Sequence, residues 1–183
     1  MNNPRKIVIT GVPGTGKTTL AKSLSKLLGV PCISINEFAI SHKYYMVHKG
    51  EKEKTVDLRK LQPALKKHLA ALDGYVVEGH LACEFSIPAD VVIVLRANPA
   101  LLKKIYAERK YPDSKANENL LCEILDYCTQ KSEDNFKHSR ILQLDNSHHP
   151  DAKKIFGRMS KGESDSINWM PLLLTKGFSY LTA

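Results

Sequence analysis

Gly11-Val12-Pro13-Gly14-Thr15-Gly16-Lys17-Thr18 completes the spacing G-x-x-x-x-G-K-[ST], and its neighbours restrict the fold further. Ile7-Val8-Ile9-Thr10 before it is a short, mostly β-branched run that reads as a buried strand. After it, Leu20, Leu24, Leu27 and Leu28 recur at helical spacing, and Gly29 is placed to end the helix. A glycine-rich turn between a buried strand and a helix start lets backbone N–H groups close around a phosphate, because no Cβ intervenes and the helix end adds partial positive charge. The pattern therefore predicts a nucleotide site, with Lys17 on the β- and γ-phosphates of ATP and the Thr18 hydroxyl on Mg2+.

The rest of the chain fits an α/β sheet. Cys32-Ile33-Ser34-Ile35 reads as a second strand, and Tyr75-Val76-Val77 and Val91-Val92-Ile93-Val94-Leu95 as strands covered on both faces. Ile141-Leu142-Gln143-Leu144 reads as a fifth. Helical spacing returns over residues 57–72, 99–106 and 114–128, and a last helix is expected from about Asp151. Arg109-Lys110-Tyr111-Pro112-Asp113 reads as a loop, residues 161–166 as a flexible connector, and the apolar tail from Ile167 as a segment packed on the flank of the sheet. Residues 36–57, which mix aromatics with lysines, break the alternation and read as an excursion. Alternating strands and helices imply a parallel, doubly wound sheet in one domain spanning residues 1–183.

Charge narrows the class of partner. Twenty-seven Lys plus Arg against nineteen Asp plus Glu give +8, which favours anionic partners. Residues 41–68 hold eight of the cations (Lys43, Lys49, Lys52, Lys54, Arg59, Lys60, Lys66 and Lys67) against Glu51, Glu53 and Asp57, a local +5. That charge reads either as a solvated surface or as a face for RNA phosphates. Only six cations of the chain are arginines (Arg5, Arg59, Arg96, Arg109, Arg140 and Arg158), so forked phosphate clamps must be few. Cys32, Cys83, Cys122 and Cys128 form no C-x-x-C pair, which argues against a zinc ribbon or a redox dithiol and suits buried thiols in the cytoplasm. No apolar run is long enough for a signal peptide or a membrane span, so no membrane partner is expected.

A second motif, Val76-Val77-Glu78-Gly79-His80, ends a strand in a carboxylate, a glycine and a histidine at the edge facing the phosphate loop. Glu78 suits magnesium-bound water or the attacking group, and His80 suits placement of a water or acceptor oxygen. A helix cap and an ordinary loop histidine are the plainer alternatives. The absence of D-x-x-G and [NT]-K-x-D removes the guanine-selecting elements of GTPases.

With the stretches 11–19, 76–80, 89–96, 108–111 and 119–124 in order along the chain, the sequence resembles the ribosome-associated adenylate kinase family. That family comprises the nuclear adenylate kinase isoenzyme of eukaryotes and its archaeal homologues. Glu-Gly-His looks like the archaeal form, since the eukaryotic pattern has Asp at the position of Glu78. The resemblance implies a P-loop NTPase fold with a five-stranded parallel sheet flanked by helices, a monophosphate-binding lobe over about 36–57 and a lid over about 108–118. It implies broad-specificity monophosphate kinase activity, ATPase activity and a role in late small-subunit maturation. Its expected partners are nucleoside mono- and triphosphates, the platform ribosomal protein numbered eleven in the bacterial scheme, and rRNA in pre-ribosomes. By position, Gly14, Gly16, Lys17, Thr18 and Thr19 match the family's ATP contacts, and Arg109 matches its lid arginine. His149-Pro150 is the nearest match to the family's last nucleotide contact. The catalytic set expected is thus Lys17, Glu78, His80 and Arg109, with Thr18 and Glu78 toward the metal. A small kinase with a non-nucleotide acceptor and an ATP-switched assembly factor are the competing readings.

Overall fold

The computed structural model describes residues 4–47, 54–148 and 151–182. Strand β1 (Lys6–Thr10) leads through the glycine loop into helix α1 (Lys17–Leu28), followed by β2 (Cys32–Ser34) and α2 (Ile35–Ser41). A hairpin of β3 (Tyr45–Val47) and β4 (Lys54–Val56) precedes α3 (Leu58–Ala70) and β5 (Tyr75–Glu78). Then come a 3-10 segment (His80–Glu84), β6 (Val91–Arg96), α4 (Pro99–Glu108), α5 (Asp113–Ile124), α6 (Tyr127–Asn135), β7 (Arg140–Asp145) and α7 (Ala152–Lys161). Two short 3-10 turns, Met170–Leu174 and Ser179–Thr182, end the chain.

The central sheet is five-stranded and parallel, in the order β2-β5-β1-β6-β7. Its middle strands are apolar between their end residues because each face has its own core. Ile7, Ile9, Val76 and Ile93 meet Leu20 and Leu24 of α1 and Ile155 and Met159 of α7. Val8, Val77, Val92 and Val94 meet side chains of α2 to α6, among them Leu61, Leu65, Leu102 and Ile124. Alternation along the strand persists, but both faces are dry. Local chemistry sets the helix ends: Asp57, Asn98 and Asp151 cap α3, α4 and α7 through their side chains, and Gly29 closes α1 in the left-handed region.

Three expectations need correction. The helical pattern over 114–128 is two helices, because Asp126 adopts φ 57 and turns the chain between α5 and α6. The turn is held by Arg96, 1% exposed, which pairs with Asp126 at 2.6 Å and with Glu123 at 2.8 Å. Residues 161–166 are pinned rather than free: Asp165 pairs with Arg158 at 2.7 Å and accepts from the Asp145 amide at 2.9 Å, and Ser164 accepts from the Gln143 amide at 3.0 Å. The tail packs on the helices that cover the sheet. Trp169 donates to Glu123 of α5 at 3.2 Å, and Lys103 of α4 lies over the rings of Phe178 and Tyr180. Among the described residues no helix is long and apolar enough to cross a membrane.

Candidate active site

The connection from β1 runs to β2 beyond β5, whereas that from β5 passes over β1 to β6, and this reversal of direction opens a crevice at the carboxyl end of β1. The glycine loop occupies that crevice. Gly11 holds φ +134, and a Cβ there would stand 2.2 Å from the Leu95 carbonyl oxygen of the neighbouring strand, so only glycine fits. Gly16, left-handed at φ 89, starts α1 without a side-chain cap, and the first turn carries no acidic residue. The positive end of the α1 dipole and its free amides are thus left for an anion.

Lys17 is only 8% exposed, and its ammonium donates to the Val12 carbonyl at 2.8 Å. Burial lowers its pKa to about 8, partly offset by the nearby Cys128 thiol and the Glu78 carboxylate, so it carries its charge at pH 7. Thr18 donates to Glu78 at 3.2 Å, and Glu78, at the end of β5, is 5% exposed. This hydroxyl–carboxylate pair is a hard oxygen donor set. Among the described residues, no three His, Cys, Asp or Glu side chains gather around a possible ion. Mg2+, which commonly takes one or two protein oxygens and completes its shell with phosphate and water, fits such a pair.

His80 opens the 3-10 segment two residues beyond Glu78, and its backbone carbonyl accepts from the Thr10 hydroxyl at 3.4 Å. Desolvation, with Lys17 and Lys115 nearby, lowers its pKa to about 4. The ring still meets solvent, yet the direction of the shift decides its state: a neutral imidazole at pH 7. Ile35, Asn36, Val56, Leu81 and His80 line a cleft between the excursion and the end of β5. Within the excursion, Tyr44 stacks on His42 and His42 on Phe38, so Tyr44 packs the lobe itself.

Arg109 lies at the end of α4 and lines a different groove, of about 340 Å3, with Gly14, Gly16, Thr19 and Asn146. The site thus has two sides around the glycine loop, with Arg109 and Thr19 on one and Glu78 and His80 on the other. A larger cavity of about 580 Å3 lies at the amino ends of the strands, around Lys6, Tyr75 and Asp90; it contains no part of the glycine loop, so size does not locate the chemistry.

Two contacts to the loop were not foreseen. Asn146, 6% exposed and directly after β7, donates to the Thr15 carbonyl at 2.8 Å, and Tyr106 donates to the Pro13 carbonyl at 2.7 Å. Asn146 lies in the loop after β7, where a nucleotide contact is expected at His149-Pro150, residues that lie outside the described ones. Arg96, one of the six arginines, is a buried ion-pair partner.

A family model described as an AAA domain matches residues 7–126. A protein of Methanocaldococcus jannaschii named "Putative adenylate kinase" is 31% identical over 189 residues, covering 97% of each chain. Its namesake from Pyrococcus furiosus is 34% identical over 139 residues, covering 76% of this chain and 73% of that one. Among solved structures, shikimate kinase from Acinetobacter baumannii superposes with a TM-score of 0.56 at 18% identity, over 85% of this chain and 90% of that one. A gluconokinase from Sinorhizobium meliloti gives 0.55 at 15% identity over the full length of both (100%). These two likenesses establish the P-loop kinase fold.

Proposed function

The chain belongs to the AAA-domain family, together with archaeal relatives named "Putative adenylate kinase", and from that premise we propose that it transfers the terminal phosphate of ATP to AMP or a related monophosphate. The observation that carries the reading is the Thr18–Glu78 contact of 3.2 Å beside an uncapped helix N-terminus, with buried Lys17 held on the Val12 carbonyl of the loop. This is the arrangement of charge that phosphoryl transfer requires, since the protein's task is to neutralise and align rather than to form bonds.

In this reading the amides of Gly14 and Gly16 and the α1 terminus hold the ATP phosphates. Lys17 turns from Val12 to the β- and γ-oxygens, and Arg109 closes from the opposite groove. Mg2+ would be held through Thr18 and Glu78 and would supply charge neutralisation on the phosphate oxygens. Neutral His80 places the attacking oxygen, accepting a hydrogen bond from water or donating its ring N–H to a monophosphate oxygen. The monophosphate lobe is the excursion over about 36–57, and the lid is the Arg109–Pro112 connector with the first turns of α5.

The supply of arginine supports a slow monophosphate reaction and a substantial ATPase activity. Arg96 is buried with Glu123 and Asp126, Arg158 pairs with Asp165, and Arg140 donates to the Met159 carbonyl at 3.5 Å. Of the other three, Arg5 precedes β1, Arg59 lies in the first turn of α3, and Arg109 lines the loop groove. A tight grip on a second phosphate chain ordinarily uses several guanidinium forks.

For partners, the stretch over residues 41–68, lysine-rich with Arg59 as its one arginine, supports attraction to the phosphates of rRNA near the platform ribosomal protein, and with it a role in small-subunit maturation. The test of the reaction is an acceptor screen with AMP, CMP, UMP, GMP and small alcohols. Phosphorylation of one or more monophosphates supports the reading, and phosphorylation of an alcohol alone overturns it.

A further inference from the structure

Tyr106 is almost fully buried at 1% exposure, yet its hydroxyl is engaged. It donates to the Pro13 carbonyl at 2.7 Å, from α4 across to the glycine loop. In a trans peptide unit the carbonyl and the following N–H point in opposite directions. A Pro13 carbonyl held toward α4 therefore turns the Gly14 amide away from α4. The loop follows this helix closely: a Cβ on Gly14 would stand 3.2 Å from Leu102, 3.4 Å from Ile105 and 3.5 Å from the Tyr106 ring. Asn146 fixes the Thr15–Gly16 peptide in the same manner, through the Thr15 carbonyl.

Tyr106 has a second contact that Asn146 lacks. Its ring stacks on Tyr111, with centroids 5.2 Å apart and planes 11° from parallel. Between the two rings the chain leaves α4: Arg109 caps the helix, Lys110 takes the left-handed conformation at φ 53, and the Tyr111 amide donates to the Tyr106 carbonyl at 3.0 Å. Arg109 thus sits in a turn whose two ends, Tyr106 and Tyr111, are joined by a backbone hydrogen bond and by their stacked rings. Any swing of Arg109 relative to α4 bends the segment that Tyr111 anchors.

We propose that Tyr106 is a positioning residue that aims the Gly14 amide at the nucleotide phosphates and, through its stack on Tyr111, ties that cradle to the Arg109 hinge. This rests on the reading of the loop as the ATP site. A small rearrangement of the hinge would be felt at a phosphate-facing amide, and phosphate in the cradle would favour one hinge geometry.

Two variants separate the contacts. Tyr106→Phe removes the hydrogen bond and keeps the ring; it is expected to weaken ATP binding about tenfold, with the stack intact. Tyr111→Leu removes the stack and keeps the hydrogen bond; it is expected to lower kcat several-fold with little change in ATP affinity, and to have no further effect in an Arg109→Ala background. Packing alone would give additive losses in that double variant. Titration calorimetry with ATP and steady-state phosphate release read both. ATP affinity within twofold of wild type for Tyr106→Phe, or additivity of Tyr111→Leu with Arg109→Ala, overturns the inference while the ATP site stands. Failure of the unmodified chain to bind ATP overturns both.

Discussion

Lys17 and His80 show how one site sets the charge of its own reagents. Lys17 is buried deeply enough to give up its proton near pH 8, well below the 10.5 of a free side chain. ATP affinity should therefore be level up to about pH 7 and fall about tenfold by pH 9, as the ammonium is lost from the unoccupied site. Calorimetric titration across that range would show it, and a flat profile would contradict it. Stability moves the other way. The folded state releases the Lys17 proton before the unfolded chain does, so this group makes unfolding harder as pH rises from about 8 to 10.5. His80 is shifted downward from 6.5 to about 4 by desolvation, Lys17 and Lys115. Its ring signals in a proton NMR titration should stay those of neutral imidazole down to pH 5; a midpoint near 6.5 would contradict the desolvation of the ring. The sequence displayed Lys17, Thr18, Glu78 and His80 because each lies in a short motif at a strand end. Tyr106 and Asn146 were not visible in it, since their function is to bind loop carbonyls from elements 93 and 131 residues away.

At the scale of elements, the strands and most helices follow from apolar periodicity and caps. The exceptions are those where a long-range ion pair decides the local conformation. Residues 114–135 carry no glycine or proline to mark a break, so the pattern alone runs α5 into α6. Asp126 makes the turn because Arg96, from the end of β6, fixes it and Glu123 in one buried cluster that also receives the Trp169 indole. Arg96→Met should leave Glu123 uncompensated at 1% exposure and cost roughly 3 to 5 kcal/mol. Denaturant unfolding would measure it, and a loss below about 1 kcal/mol would show that the cluster is not what joins β6, α5, α6 and the tail. The connector over 161–166 was misread for a related reason. Its Gly, Ser and acidic residues suggest freedom, but the Arg158–Asp165 pair and the edge amides of β7 hold it.

For the whole molecule, the distribution of charge matters more than its sum. Of the +8, a net +5 falls over residues 41–68, and Arg59, Lys60, Lys66 and Lys67 of α3 carry four of those charges, while Lys17 and Arg109 lie at the glycine loop. Lysines on RNA phosphates give binding that weakens steeply with salt, so affinity for ribosomal RNA should fall at least tenfold between 50 and 200 mM salt. Gel shift or fluorescence titration at the two concentrations would read it, and salt-independent binding would exclude residues 41–68 as an electrostatic face. The same scarcity of arginine carries the main functional claim, that this P-loop kinase fold is weakly equipped to grip a second phosphate chain. The most direct measurement is inorganic phosphate release from ATP with and without AMP, set beside ADP formed by transfer. Hydrolysis comparable to transfer is the expected result; transfer to AMP exceeding hydrolysis by orders of magnitude would contradict it.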